Sequence, residues 1–219
     1  MARTRSAGYD DQREMILAHA AELFSQRGYP ATSMNQLAEA CGLSKPTLYH
    51  YYRDKYALLV QIAEGHVARL AELVRGIEAE GLPAEPRLHR LIIRFVEEYA
   101  DAQHAHRVLT EDVRFLEPED RARVLVMERQ VVDGFARALV ELRPEFHEAQ
   151  LATPVSMLLF GMINWMFTWL KPDGRLGYDR MALIVADLFF GGIHRIALTS
   201  LTPVPPPQDL QNPQEETPR

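Results

Sequence analysis

The sequence has little cysteine, lysine or tryptophan: one Cys, Cys41, three Lys and two Trp among 219 residues. One cysteine cannot form a disulfide within the chain, and no apolar stretch near residue 1 could act as a secretory signal. Alternating β-branched runs are absent, and the most apolar run, residues 155–170, is shorter than the ~20 residues that a membrane-spanning helix needs. These absences predict a cytoplasmic protein without strands.

Sequence motifs for catalysis and metal binding are also missing. The chain contains no HExxH, CxxC or GxSxG motif and no phosphate-cradling glycine loop. His104 and His106 are two residues apart, which on a helix turns them about 200° away from each other, so we expect two surface histidines and not a metal site. We therefore expect no enzymatic activity, no cofactor and no bound metal.

The composition is that of a folded chain, with 47% hydrophobic and 25% charged residues, and the net charge of −6 is unevenly distributed. Residues 1–56 contain seven Lys or Arg and six Asp or Glu, a balance of +1, whereas the remaining residues contain 17 and 24, a balance of −7. Arg3 and Arg5 lie near the N-terminus, and Lys45 and Lys55 lie close to residue 56. Because charges are screened over ~8 Å at physiological salt, the acidic part scarcely opposes anion binding by the first part.

Apolar residues recur at helical spacing through most of the chain, which predicts an all-α fold of about nine helices. The predicted helices lie near 11–27, twice within 32–54, at 55–80, from about 86, and at 107–116, 117–144, 145–170 and 178–198. Residues 171–174 have the composition of a turn. The chain divides into residues 1–56, residues 57–200 and a proline-rich tail, 201–219, that we expect to be disordered.

Residues 32–59 show dense helix start and stop signals. Thr32 or Ser33 can cap one helix, Gly42 can end it, Ser44 can cap the next, and Asp54 can cap a third that begins at Lys55. The middle helix has about two turns and a length of ~12 Å, similar to the width of the DNA major groove. This pattern predicts a helix-turn-helix.

Residues 11–59 resemble the DNA-binding domain of the TetR family of bacterial transcriptional regulators. The residues that carry the resemblance are the Ile16 to Phe24 helix, Gly28–Tyr29, Thr32–Ser33, Leu37–Ala38, Gly42–Leu43, Ser44 to Tyr49, Lys55 and Leu58–Leu59. The resemblance implies a bacterial, nucleoid-associated homodimer that represses transcription from a palindromic operator in double-stranded DNA. A ligand-binding and dimerisation domain at 57–200 would follow the helix-turn-helix domain at 1–56.

The chemistry of the short helices and the resemblance together give a set of candidate DNA contacts. Lys45 can donate to guanine, the Thr47 methyl can contact a thymine methyl, and hydroxyls, free N–H groups and an ammonium at helix N-termini can bind phosphates. The predicted DNA-binding residues are Thr32, Ser33, Asn35, Lys45, Pro46, Thr47, Tyr49, His50 and Lys55.

A second resemblance concerns the effector. Residues 160–174 are similar to a branch of TetR-type repressors that respond to acyl-CoA thioesters, above all to those that control phenylacetic acid degradation and sense phenylacetyl-CoA. The resemblance implies release from DNA by an acyl-CoA and control of a catabolic operon. The candidate ligand-binding residues are Arg90, Arg94, Asn164, Trp165, Thr168 and Trp169.

Four alternatives stay open at this point. The apolar helix around 155–170 can serve as core and dimer interface without contacting a ligand, and the arginines can form a solvated, ion-paired face. The protein can also be a DNA-binding regulator without a small-molecule effector, or one that senses another hydrophobic ligand such as a drug.

Overall fold

The computed structural model describes residues 7–171 and 174–196, which form an all-helical fold, as predicted. Residues 1–6, 172–173 and 197–219 lie outside the described residues, and with them Arg3, Arg5, half of the predicted turn and the whole predicted tail. The described helices are α1 (Ala7–Arg27), α2 (Met34–Ala40), α3 (Lys45–Tyr51), α4 (Lys55–Ala79), α5 (Ala84–Asp101), α6 (Gln103–Glu111), α7 (Pro118–Leu142), α8 (Glu145–Glu148), α9 (Ala152–Trp165) and α10 (Tyr178–Ile193). Among these helices, none has the length and apolarity required to cross a bilayer.

The first three helices begin and end where the side chains predict. Ser33 caps α2 through a capping box with Gln36, and Ser44 caps α3 by accepting a hydrogen bond from the Thr47 N–H. Gly42 has φ +64°, a conformation that favours glycine, and it turns the chain between α2 and α3. Asp54 caps α4, so α3 ends after two turns.

Two apolar clusters form the core, and α4 contributes to both. The first, which we call the head cluster, includes Phe24, Leu37, Leu48 and Leu58 and continues along α4 to Val67. It also takes in buried residues of α6, of the connection that follows it and of α7, namely Val108, Leu109, Leu116 and Val124. The second, the body cluster, joins the last part of α4 to α5, α7, α9 and α10. The long helix α4 therefore connects the two clusters, and the division at residue 56 remains a prediction.

The predicted helix at 145–170 is wrong as a single helix. The chain ends α8 at Glu148, passes through Gln150 with φ 54°, and restarts as α9 at Ala152. The Leu151 N–H donates to the Phe146 carbonyl at 2.9 Å, a bond that closes a helix C-terminus when the residue before it is left-handed. After Trp165 the chain tightens into a 3-10 turn, Met166–Thr168.

Two other helix boundaries differ from the expected ones. The segment predicted at 107–116 is α6, which begins earlier, at Gln103, and is followed by a separate 3-10 turn, Val113–Phe115. The last helix, α10, ends at Ile193 and not at 198. Terminal turns of helices are the least predictable part of an element, because side chains and backbone there have several competing partners.

Gly134 allows α7 to lie directly against α4. A Cβ built at Gly134 would be 2.2 Å from Cγ1 of Val74, a stiff β-branched side chain that is 2% exposed. We expect Gly134→Ala to lower the free energy of unfolding by about 1–2 kcal/mol, because overpacking outweighs the gain in helix propensity. Chemical denaturation measures this change.

Gly76 provides the matched control for this prediction. It is exposed and lies away from the ends of α4, and a Cβ built there has no described neighbour within 4 Å beyond the adjacent residues and the backbone of α4. Gly76→Ala should therefore raise the free energy of unfolding by up to ~1 kcal/mol. Adding Val74→Ala to Gly134→Ala should restore part of the lost stability, and equal effects of the two glycine substitutions would contradict the proposed packing.

Candidate functional site

The short helix α3 separates a buried side from a polar, exposed side. Leu48 is fully buried in the head cluster, whereas Lys45, Pro46, Thr47 and His50 are exposed. Tyr49 is also exposed, at 43%, and the Lys45 ammonium lies 6.0 Å from the centre of its ring. The predicted contacts of α3 therefore form one surface that a DNA groove can reach.

The orientation of α3 is stabilised by contacts with α1. The ring of Tyr9 packs against Tyr51 at 4.9 Å between centroids and lies 6.4 Å from His50. Arg13 donates from Nε to the Tyr52 hydroxyl at 3.3 Å and from Nη2 to Gln61 Oε1 at 2.6 Å. Sequence reasoning missed these positioning residues, since nothing in their spacing shows that they meet.

The predicted contacts at the start of α2 have different surroundings. Thr32 is buried, and its hydroxyl donates to the Gly28 carbonyl at 3.0 Å, so the hydroxyl is bonded within the protein. Ser33 and Asn35 are exposed beside the N-terminus of α2. The Ser33 N–H donates to Gln36 Oε1 at 2.8 Å as part of the capping box. Ser33 and Asn35 are therefore accessible to DNA, whereas Thr32 is buried and bonded within the protein.

The ammonium of Lys55 lies against the connection between α1 and α2. It donates to the carbonyl oxygens of Tyr29, Pro30 and Thr32 at 2.9, 3.1 and 3.0 Å, and it lies 4.5 Å from the centre of the Tyr29 ring. An ammonium has three hydrogens, so each has an acceptor in the protein. Lys55 thus fastens the start of α4 to the segment that precedes α2, and its predicted phosphate contact remains untested.

We expect Lys55→Met to reduce both stability and operator affinity. The substitution removes three charge-assisted hydrogen bonds, and we expect the free energy of unfolding to fall by about 1–3 kcal/mol. Lys45→Met is the matched control, because Lys45 is exposed and should leave the melting temperature unchanged. Thermal denaturation measures the stability of both variants, and operator titration measures their affinity for DNA. An unchanged melting temperature in Lys55→Met would show that the hydrogen bonds of Lys55 do not stabilise the fold.

The next residue, Tyr56, joins α4 to the start of α7. Its hydroxyl donates to the Asp120 carboxylate and accepts from the Glu117 N–H at 2.8 Å. The hydrogen bond from Tyr56 lowers the pKa of Asp120. Arg123 bonds to the same Asp120 and, at 2.8 Å, to Glu64 on α4. The first turn of α4 is therefore hydrogen-bonded to the connection between α1 and α2 through Lys55, and to the start of α7 through Tyr56.

The predicted ligand-binding residues do not converge on one cavity in the described part of the chain. Trp165 and Trp169 are 67% and 51% exposed. Arg90 pairs with Glu80 at 3.1 Å and Arg94 with Glu97 at 3.4 Å, and both arginines border a groove of about 530 Å³ between α4 and α5. The arginines thus form the ion-paired face that was one of the alternatives.

The other two predicted ligand-binding residues lie on α9 and in the turn that follows it. The Thr168 hydroxyl donates to the Trp165 carbonyl at 2.7 Å. Asn164 Oδ1 is buried and accepts no hydrogen bond from the part of the chain that the structure describes. Asn164 therefore has a free acceptor inside the domain, while Thr168 is occupied locally.

A pair of buried histidines was missed, and the expectation of a surface position for His106 is wrong. His66 on α4 is fully buried and His106 on α6 is 2% exposed, and His66 Nε2 lies 3.3 Å from His106 Nδ1. The His106 ring stacks on Tyr99 at 3.7 Å between centroids. Burial lowers the pKa of His66 to about 3, with a further contribution from His106, and lowers that of His106 to about 4. Both rings are neutral near pH 7.

Large apolar side chains on α9 and α10 are exposed. Leu158 is 69% exposed and Leu188 is 64% exposed. The others on these helices and on the turn after α9 are Met157, Trp165, Trp169, Leu183 and Ile184. A surface with this many exposed apolar residues is typical of a protein–protein interface.

Two protein-family models match the chain. The model described as bacterial regulatory proteins, tetR family, matches residues 16–62, which contain α2, α3 and the exposed surface of α3. The model described as tetracyclin repressor-like, C-terminal domain, matches residues 81–193, from the end of α4 to the end of α10. Together they cover most of both clusters of the core and leave out residues 63–80 of α4 and its C-terminus.

Similar proteins and structures span nearly the same length. The chain is 26% identical to the transcriptional activator FasR of Mycolicibacterium smegmatis over 191 residues, 87% of this chain and 86% of that one. A TetR-family regulator from Bordetella parapertussis has a TM-score of 0.78 at 33% identity, covering 84% of this chain and 97% of that one. AibR in complex with isovaleryl coenzyme A and operator DNA has a TM-score of 0.69 at 25% identity, covering 81% and 97%. The matched proteins are regulators and not enzymes, and this chain belongs to the TetR family of DNA-binding transcriptional regulators.

Proposed function

We propose that the protein is a homodimeric repressor that acts in the bacterial cytoplasm and binds a palindromic operator through two copies of α3. The observation that carries this proposal is the exposed polar surface of α3, on a helix whose opposite side is anchored by Leu48. One two-turn helix reads too few bases for specificity in a genome, whereas two copies spaced ~34–36 Å apart read two half-sites. Lys45 and Thr47 would contact bases, and Ser33, Asn35, Tyr49 and His50 would contact phosphates or base edges.

Selection of operator DNA tests this part of the proposal. The purified protein should enrich a small set of fragments from the genome of its source, each containing two inverted half-sites. Footprinting should show protection of two successive major grooves on one face of the duplex. In vitro transcription from a selected promoter should fall when the protein is added. Enrichment without any shared sequence would contradict operator recognition, and increased transcription would contradict repression.

The dimer would form through α9 and α10. These helices pack inward on α7 and α5 and expose apolar residues on the opposite side, so two copies can pair as a four-helix interface around a two-fold axis. Leu158→Lys together with Leu188→Lys should produce monomers in light scattering, with loss of operator binding at concentrations where the wild type is saturated. Val126→Lys, at a position 50% exposed on α7, is the matched control and should remain dimeric. A dimeric double variant would contradict this interface.

We propose that an acyl-CoA, with phenylacetyl-CoA as the first compound to test, binds among the central helices and releases the operator. Support comes from AibR, a structural neighbour solved with isovaleryl coenzyme A and operator DNA. The effector would favour a conformation in which α7 moves relative to α4, and Tyr56 and Lys55 would transmit the tilt of α4 to the head. The two recognition helices would then no longer match the spacing of the half-sites.

Thermal-shift measurements test which effector class binds. A ligand that binds the native state raises the melting temperature, by mass action, as its concentration exceeds the dissociation constant. We expect a shift with phenylacetyl-CoA or another acyl-CoA and none with coenzyme A alone. A shift with an unrelated hydrophobic drug only would replace the acyl-CoA by that class, and no shift with any compound would favour a regulator without a small-molecule effector.

A further inference from the structure

The two buried histidines are unusual because each has one ring nitrogen without a protein partner. His66 Nδ1 and His106 Nε2 are buried and make no hydrogen bond to residues 7–171 or 174–196, and both residues are at most 2% exposed. Leaving a buried donor or acceptor without a partner destabilises the folded state. Because such a pair destabilises the folded state, we expect it to have a role in ligand binding.

The hydrogen bond between the two rings determines whether each free ring nitrogen is a donor or an acceptor. If His66 Nε2 carries the proton, His66 Nδ1 is an acceptor and His106 Nε2 is a donor; if His106 Nδ1 carries it, the two roles are exchanged. In either arrangement the neutral pair presents one donor and one acceptor. A bound group that changes one ring's tautomer therefore changes the other ring's tautomer as well.

The surroundings of the pair are aromatic and poor in free positive charge. Tyr99 stacks on His106, and the ring of Phe167 meets it edge-on at 5.6 Å. Arg69 on α4 acts electrostatically on His66 and is itself paired with Glu98 at 3.3 Å. Glu128 on α7 acts electrostatically on Tyr99, and His104 on α6 is hydrogen-bonded to Ser25 at 2.8 Å. A carboxylate brought here would lose hydration without gaining a partner of opposite charge.

We propose that the His66–His106 pair is the polar recognition point of the effector site and binds a neutral carbonyl, amide or hydroxyl group in preference to a carboxylate. The proposal rests on the proposed effector function and makes it more specific: the thioester form of an acid is recognised and the free acid is rejected. Asn164 Oδ1 and the Tyr178 hydroxyl, two further buried atoms without a hydrogen-bond partner among the described residues, are neutral polar groups of the same part of the chain. The buried atoms that are left to bind a ligand are thus neutral hydrogen-bonding groups.

Calorimetry with a matched pair of small probes tests this selectivity. The N-acetylcysteamine thioester of phenylacetic acid and phenylacetate share the same aromatic group and differ in the charge of the other end. At pH 7.5 the wild type should bind the thioester at least tenfold more tightly than phenylacetate. His106→Phe keeps a ring against Tyr99 and removes the polar nitrogens, so thioester affinity should fall at least tenfold. The exposed His147→Phe is the control and should bind as the wild type does.

Nitrogen NMR of the histidine rings provides a readout that does not depend on a variant. In the wild type at pH 7.5 the resonances of His66 and His106 should be those of neutral tautomers, and saturation with the thioester should shift both sets. Thioester binding that leaves both rings unperturbed, or phenylacetate binding as tight as that of the thioester, would overturn the inference alone. Failure of this thioester and of every acyl-CoA to bind would overturn the proposed effector and the inference together.

Discussion

Lys45→Ala is expected to reduce affinity for the selected operator at least about 30-fold. Lys45 is exposed at the first position of α3, where its ammonium can reach base edges while Leu48 holds the helix on the head cluster. A good side-chain contact to a guanine contributes about 1–3 kcal/mol of discrimination, and a dimer makes the contact twice. The loss should be larger for the operator than for unrelated DNA, so the specificity ratio falls. Fluorescence anisotropy with both DNAs at fixed salt measures it.

The control for this prediction removes a lysine elsewhere. Lys171 is exposed in the loop after α9, remote in sequence from the helix-turn-helix. Lys171→Ala should leave the ratio of operator to unrelated DNA affinity unchanged. If Lys45→Ala weakened binding to both DNAs by the same factor, the side chain would contact phosphates and not bases, and the base-reading role of α3 would have to be assigned to Thr47 or to other residues.

Acidification from pH 7.5 to pH 5 is expected to lower the free energy of unfolding by about 3–4 kcal/mol through His66 and His106. Their pKa values in the folded protein are about 3 and about 4, against 6.5 in the unfolded chain. Below pH 6.5 the unfolded state therefore binds protons that the folded state excludes, and stability is lost progressively as the pH falls from 6.5 toward 4. Each histidine contributes about 2 kcal/mol at pH 5. Urea titrations at a series of pH values measure the loss.

Two carboxyl groups, of buried Asp112 and half-buried Glu128, act in the opposite direction and must be separated from the histidines. Burial raises the pKa of Asp112 and of Glu128, so these groups favour the folded state as the pH falls. The double variant His66→Leu, His106→Phe replaces both partners by apolar groups and should lose most of the acid sensitivity below pH 6.5. The exposed His147→Leu should keep it. An unchanged pH dependence in the double variant would contradict the assignment.

The head of the molecule was predictable from the sequence because its local signals agree with each other. Ser33, Gly42, Ser44 and Asp54 each set a helix boundary through a bond or a dihedral within three residues, so no distant contact was required. The second half of the chain lacks such signals at its interruption. Gln150 adopts a left-handed conformation that sequence rules assign to glycine or asparagine, and the apolar pattern continues across it.

The candidate site was likewise predictable only where local sequence pattern determines the positions of the side chains. Helical periodicity alone places Leu48 inward and Lys45, Thr47, Tyr49 and His50 outward. The partners of Lys55 were not predictable, since its three acceptors lie 23–26 residues away in a loop. His66 and His106 are 40 residues apart in sequence. Their burial depends on the packing of α4 against α6 and on the Tyr99 ring that stacks on His106. Contacts of this kind follow from tertiary structure and not from local pattern.

In the proposed mechanism, occupancy of the effector domain sets the affinity of the α3 surfaces for the operator. The decisive measurement is a titration of a labelled, selected operator with the wild-type protein, followed by anisotropy, with and without saturating phenylacetyl-CoA, other acyl-CoAs and coenzyme A. We expect an acyl-CoA to raise the operator dissociation constant at least tenfold and coenzyme A alone to leave it unchanged. An operator dissociation constant that no thioester changes would contradict the mechanism.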